Sequence, residues 1–273
     1  MATSPRVLTV EQSAHVATLW LDNAERRNAL GPPFWEDLPA LMRQLSDDPE
    51  VRAIIIAARG PHFTIGLDLK AFGGALGGGE GSSEAARRTR LLGNIKRMQA
   101  AMTAVADSPK PILAAVQGYC IGGGIDLITA CDIRLASADA IFSVRETKIA
   151  IVADVGTLQR LPGIVGEGHV AELAFTGKDI GAARAREIGL VNDVLPDPAA
   201  LAAAARVLAG EIAANSPLAV QGTKAVLRAC KGRSVAEGLD YVAVWNAAFI
   251  QSNDLGEAMS AFVEKRAPRF TGS

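Results

Sequence analysis

Gly118-Tyr119-Cys120-Ile121-Gly122-Gly123-Gly124-Ile125-Asp126-Leu127 is the stretch on which the reading of this chain turns. A strand pattern runs into three consecutive glycines, and a helix pattern opens behind them. Free N–H groups at a helix start point outward and carry partial positive charge, so they can hold an anion. A phosphate-binding P-loop needs Lys-Ser/Thr after its glycines, and here Ile125-Asp126 follows. A dinucleotide fingerprint needs GxGxxG, a spacing this run does not supply. What remains is a site for a small anion such as an oxyanion, with close helix packing as the competing reason for the glycines. Asp126, in the first helical turn, also suits the helix dipole whatever its chemistry.

Outward from this stretch, strand and helix signals alternate. Residues 7–10, 16–21, 51–58 and 111–117 read as strands, 34–45 and 87–105 as amphipathic helices, 125–130 as a short helix and 132–136 as a strand. That rhythm predicts an α/β fold with mostly parallel strands. After a last strand signal at 190–195 the chain reads as helix over 198–214, 217–229, 235–251 and 255–265. The expected organisation is therefore an α/β core over 1–197 and a helical C-terminal region over 198–273. Residues 73–83 hold six glycines in eleven positions and read as a flexible loop or a flap beside a site.

Composition narrows the chemistry. The chain has 273 residues, 28 Lys+Arg against 29 Asp+Glu and 49% hydrophobic residues. The balanced charge argues against a nucleic-acid binder, and the apolar content argues against disorder. Cys120, Cys131 and Cys230 form no CxxC, and His15, His62 and His169 form no HExxH, so neither a zinc ribbon nor a zincin metal site is expected. Carboxylates are left as the acids and bases. No apolar run is long enough to span a bilayer and no targeting segment stands out, so no membrane association and a reducing, cytoplasmic compartment are expected.

Two further segments carry candidate chemistry. His62-Phe63-Thr64-Ile65-Gly66-Leu67-Asp68-Leu69 follows a buried strand, and Gly66 would let the backbone turn an N–H into the open. Phe142 to Thr157 contains Glu146 between Arg145 and Lys148, where a solvated ion pair competes with a catalytic role. It also contains Asp154, set among apolar residues that would raise its pKa towards the range of proton transfer. Capping of the next helix is the competing reading for Asp154.

Together these segments resemble the crotonase, or enoyl-CoA hydratase/isomerase, superfamily. Arg27-Asn28-Ala29-Leu30, Phe63 to Leu69, Gly118 to Leu127, Gln159-Arg160-Leu161-Pro162, Thr176-Gly177, Gly189-Leu190-Val191 and the terminal Phe262 to Phe270 match its landmarks in order. The resemblance implies a core of repeated ββα units winding as a spiral, with a helical C-terminal trimerisation region. Asp126, Glu146 and Asp154, within Ala153-Asp154-Val155-Gly156-Thr157-Leu158-Gln159-Arg160-Leu161-Pro162, are similar to the pattern of the dienoyl-CoA isomerases of this superfamily. That branch implies conversion of 3,5-dienoyl-CoA to 2,4-dienoyl-CoA in fatty acid β-oxidation. Glu146 and Asp154 would move protons, Asp126 would support Glu146, and the N–H groups of Leu67 and Gly123 would form an oxyanion hole. The resemblance further implies coenzyme A contacts from Arg27, Ile65, Gly66, Leu67, Asp68, Leu69, Gly122 and Gly123, and from Phe262 and Lys265 of a neighbouring subunit. It implies trimers or pairs of trimers, and no cofactor beyond the coenzyme A of the substrate. Hydration and a simple enoyl shift are the neighbouring alternatives, and a non-catalytic RNA- or partner-binding role is the distant one.

Overall fold

The structure, a computed structural model, describes residues 7–76 and 83–273. The chain opens with a hairpin of β1 (Leu8–Ser13) and β2 (Val16–Leu21), paired antiparallel from Ser13↔Val16 to Leu8↔Leu21. Ala14 and His15 between them take φ of 49° and 64°, as a two-residue turn matched to strand twist requires. Next comes α1 (Pro32–Asp47), whose Pro32 and Pro33 stand in the first turn, where a missing N–H costs nothing, and whose Phe34, Leu38, Met42 and Leu45 are buried. Then follow β3 (Ala53–Ala58), α2 (Leu69–Leu76) and α3 (Glu84–Asp107), the last capped by the Ser83 hydroxyl accepting from the Ala86 N–H.

From here the chain repeats a unit. β4 (Ile112–Val116), β5 (Tyr119–Ile121) and α4 (Gly123–Ala130) are followed by β6 (Ile133–Ser137), β7 (Ile141–Ser143) and α5 (Thr157–Arg160). In each unit the first strand joins the main sheet and the second joins a small sheet. Beyond lie α6 (Glu167–Thr176), β8 (Ile180–Gly181), α7 (Ala182–Glu187), β9 (Asp193–Leu195) and α8 (Pro198–Ala213). The main sheet runs β1-β2-β3-β4-β6-β9, parallel from β2 onward, and the small sheet runs β5-β7-β8. The expected mixed α/β fold with predominantly parallel strands is therefore present.

All six residues of β3 are buried, which explains its unbroken Ala-Ile-Ile-Ile-Ala-Ala sequence. A parallel sheet covered on both faces needs apolar residues at odd and even positions alike. Ile54 and Ile56 pack with α1 and α3, while Ala53, Ile55 and Ala57 face Leu201, Ala205 and Ala209 of α8. α8 falls in the region expected to be the helical tail, yet it lies on the core sheet. The helices that leave the core start with α9 (Pro217–Ala229) and continue as α10 (Val235–Phe249) and α11 (Asn253–Glu264).

The expected loop at 73–83 begins later than composition suggests, because α2 runs to Leu76; residues 77–82 lie outside the described part. The last strand shrinks from 190–195 to Asp193–Leu195, since the N–H groups of Leu190 and Val191 both turn back to the Ala185 carbonyl. Among the described residues, no helix is long and apolar enough to cross a membrane.

Candidate active site

Two isolated parallel bridges build the anion site. Thr64 pairs with Cys120 and Leu30 pairs with Leu67. Leu30 donates to the Gly66 carbonyl at 2.8 Å and accepts from the Asp68 N–H at 3.1 Å. In a parallel pair the residue between two bonded neighbours turns its own N–H the other way, so the Leu67 N–H faces the start of α4. The Gly123 N–H, at the first position of α4, has no acceptor within the helix. Among the described residues neither N–H is given to a protein acceptor. The two groups are close, since a Cβ built on Gly123 would stand 3.9 Å from the Leu67 nitrogen.

The glycines permit this convergence for different reasons. Gly66 has φ +84°, and a Cβ there would meet the Ile121 carbonyl oxygen at 2.6 Å. Gly122 has φ 54° and ψ −115°, a conformation that side chains avoid. Gly124 lets α4 rest on Thr64, whose Cγ2 would be 2.7 Å from an added Cβ.

Three carboxyls line the same cavity of about 140 Å³, with Leu67, Gly122 and Gly123: Asp126 of α4, Glu146 after β7, and Asp154 on the segment before α5. Glu146 is not the solvated ion pair that its basic neighbours suggest, because Arg145 turns to Asp179. The Oε2 atom of Glu146 is buried with no hydrogen-bond partner among the described residues. Burial pushes this carboxyl up to about 7, and the Asp126 and Asp154 charges add to the shift. Asp126 is 2% exposed. Its Oδ1 accepts from the Thr157 N–H at 2.6 Å and from the Thr157 hydroxyl at 2.8 Å. Burial raises Asp126 to about 6 against the opposing pull of those two bonds. Asp154 is half-buried and its carboxyl is raised by burial, as its apolar neighbours led one to expect. Its backbone carbonyl accepts from Gln99 Nε2 of α3 at 2.6 Å. It does not cap α5, whose cap position is Gly156; Asp126 supplies that carboxylate from α4 instead.

The remaining expected contacts divide. Gly66 lines the cavity, as do Ile65 and Leu69, which stay partly in solvent at 36% and 52% exposure. Arg27 is exposed and outside the lining. Asp68 is buried and committed elsewhere: Oδ1 accepts from the N–H groups of Lys70 and Ala71, and Oδ2 pairs with Arg26 at 2.9 Å. It therefore caps α2, and it lines a neighbouring cavity rather than the carboxyl-lined one. Phe262 and Lys265, at the end of α11, also lie outside the cavity, with Phe262 82% exposed. Thr157 and Gln99, which hold the acid-bearing segments, escape sequence reading. One looked like an ordinary helix start and the other like one polar residue on a long amphipathic helix.

A sequence profile described as enoyl-CoA hydratase/isomerase matches residues 11–273. The chain belongs to the enoyl-CoA hydratase/isomerase family. That family comprises isomerases and hydratases. The chain is 43% identical over 265 residues to the peroxisomal Delta(3,5)-Delta(2,4)-dienoyl-CoA isomerase of Arabidopsis thaliana, covering 97% of this chain and 95% of that one. It is 40% identical to the mitochondrial Delta(3,5)-Delta(2,4)-dienoyl-CoA isomerase of Rattus norvegicus, covering 92% and 77%. The crystal structure of an enoyl-CoA hydratase from Bacillus anthracis superimposes with a TM-score of 0.89 at 30% identity, covering 98% of this chain and all of that one. The family fold thus extends through the C-terminal helices. The organellar names of the two isomerases give no support to the cytoplasm expected from the sequence.

A second cavity, of about 440 Å³, shares Trp35, Leu67, Phe72 and Met98 with the carboxyl-lined one. A larger one, about 1140 Å³, lies between the core and the C-terminal helices, away from the three acids. Among the described residues no group of three or more His, Cys, Asp or Glu is arranged to hold a metal ion.

Proposed function

We propose that the protein isomerises 3,5-dienoyl-CoA to 2,4-dienoyl-CoA by moving a proton from C2 to C6. The observation that carries this reading is the pair of open N–H groups, on Leu67 and Gly123, beside carboxyls on two separate segments. Loss of the C2 proton puts negative charge on the thioester oxygen, which the two N–H groups receive. Removing one such donor typically lowers the rate roughly 10²–10³-fold, about 3–4 kcal/mol. Oε1 of Glu146 lies against Gly122, next to this hole; Glu146 therefore serves C2, the carbon adjoining the thioester. Asp154, on a different segment, serves C6. Two acids placed apart suit a shift across four bonds better than one acid reaching both ends. Burial raises both carboxyls and brings Glu146 to about 7, where it can give or take a proton at neutral pH. Asp126 supports the pair from behind, through Thr157 and through its charge on Glu146. The names of the relatives from Arabidopsis thaliana and Rattus norvegicus support the same substrate class.

Coenzyme A enters as part of the substrate, past Ile65 and Leu69 and the exposed Arg27, and no resident cofactor takes part. The C-terminal helices expose Leu239, Val244, Met259, Phe262 and Val263, each more than 60% accessible. Exposed apolar side chains in this number suit an interface, and a trimer would cover them and bring Phe262 and Lys265 to a neighbour's substrate. The three free cysteines suit a reducing compartment such as the cytoplasm.

The test is incubation with a 3,5-dienoyl-CoA and, separately, a 2-enoyl-CoA. The first should yield the absorbance of the conjugated 2,4-dienoyl product, and the second should be hydrated far more slowly. Asp154→Asn should cut isomerisation by roughly 10²–10⁴-fold. Wild-type rates in that variant would sink the two-carboxyl mechanism.

A further inference from the structure

We infer that Thr157 is a positioning residue for this reaction, joining Asp126 to the segment that carries Asp154. The geometry is specific. Thr157 is fully buried and is the first residue of α5, whose own cap, Gly156, has no side chain to offer. The backbone N–H and the hydroxyl of Thr157 both go to one oxygen, Oδ1 of Asp126. Three residues upstream, the Asp154 carbonyl is held by Gln99. Between them the Val155 carbonyl accepts from Arg160, whose other nitrogen reaches the Thr103 hydroxyl. Asp154 thus sits on a short bridge tied to α3 at one end and, through Thr157, to α4 at the other. The bridge has no other regular structure, so its position depends on these ties.

The same hydroxyl also acts on the proton balance of the site. It donates to Asp126 and so favours the ionised form of that acid. Asp126 is faced in addition by Asp154, Arg160 and the buried Cys120. Glu146 is faced by Asp126 and Asp154, while the adjacent Arg145 is taken by Asp179 and Lys148 packs over Gly177. Removing the hydroxyl lets Asp126 keep its proton to higher pH. Glu146 then loses a negative neighbour and ionises at lower pH.

This inference rests on the isomerase reading, and its test separates the two. Steady-state kinetics with a 3,5-dienoyl-CoA are measured against pH for the wild type, Thr157→Val and Thr157→Ser. Carbon-13 NMR titration of the side-chain carboxyls is run on the same proteins. Thr157→Val should lower kcat about tenfold or more with KM little changed. It should move the limb of the pH profile that reports Glu146 to lower pH, and raise the titration midpoint of Asp126. Thr157→Ser, which keeps the hydroxyl, should restore all three. Should Thr157→Val fail to fold, Thr157→Ala removes the same hydroxyl and carries the same expectations. Unmoved limb and midpoints, or equal damage in the Val and Ser variants, would overturn the positioning role and leave Thr157 as packing. A wild type without dienoyl turnover would instead remove the isomerase reading, and the NMR midpoints would still decide whether Thr157 holds Asp126.

Discussion

Gly122 and Glu146 are in such close register that a Cβ on Gly122 would lie 3.2 Å from Oε1 of Glu146. The acid is set by a strand end and a 3-10 turn, Glu146–Ile149, whereas the glycine opens α4. Their contact therefore fixes the distance between the proton-transfer group and the oxyanion donors. Gly122→Ala should displace the carboxyl and strain a backbone at φ 54° and ψ −115°. A loss of at least about tenfold in kcat is expected, with a stability loss of about 1–3 kcal/mol. Kinetics and urea unfolding on one preparation check both; an unchanged kcat would mean that Glu146 tolerates displacement.

Gly66→Ala attacks the other half of the hole. The added methyl would meet the Ile121 carbonyl oxygen at 2.6 Å, so the segment must move and carry the Leu67 N–H with it. Turnover should fall by roughly 10²–10³-fold, the usual worth of one oxyanion donor. KM should change less, because the donor works mainly on the charge that develops during reaction. A variant that raises KM and leaves kcat intact would show that Leu67 only binds substrate.

Stability should fall as pH rises through the range in which the site acids ionise. Glu146 and Asp126 ionise near 4.5 and 3.8 without the fold, and near about 7 and about 6 within it. Between those values the folded chain holds more protons than the unfolded one, so raising the pH favours unfolding. Glu146→Gln removes the charge that must be buried. It should be more stable than the wild type by about 1–2 kcal/mol at about pH 8, with the gap closing towards about pH 4.5. Equal denaturation midpoints for the two proteins across this range would contradict the burial of an unpaired carboxyl.

Apart from the short β9, the main sheet was legible in the sequence because its strands have five or six residues, enough for pattern, as with the six apolar residues of β3. The small sheet was not, since β5, β7 and β8 have three, three and two residues, too few to show a period. The glycines at 122–124 and 66 announced the anion site, because exposing N–H groups demands them. The acids were visible as residues, but their partners were not. Asp68 was visible as a possible ligand contact but not as the cap of α2, and for Asp154 a catalytic role and a cap competed until the cavity claimed it. In each case the deciding partner is supplied or withheld by three-dimensional packing, as when Thr157 meets Asp126 from 31 residues away.

Lys224 supplies a test of how the C-terminal helices are held. On α9 only Gly222 and Lys224 are buried. The Lys224 ammonium donates to the Lys110 carbonyl at 2.8 Å and pairs with Asp132 Oδ2 at 2.6 Å, and that oxygen also takes the Ile112 N–H at 2.8 Å. One side chain therefore ties α9 to the loop before β4 and to the segment between α4 and β6. Lys224→Met keeps the length of the side chain but leaves the Lys110 carbonyl and one side of Asp132 unpaired. A destabilisation of about 1–3 kcal/mol is expected, below that of a fully buried pair because Asp132 is 34% exposed. The double variant with Asp132→Asn should lose less than the sum of the two single changes, because the partners share one interaction. Urea unfolding measures the cycle, and limited proteolysis of the native protein should cut before α9 sooner in Lys224→Met. Additive losses with unchanged proteolysis would show that the apolar contacts of α9, and not this pair, hold the helices to the core.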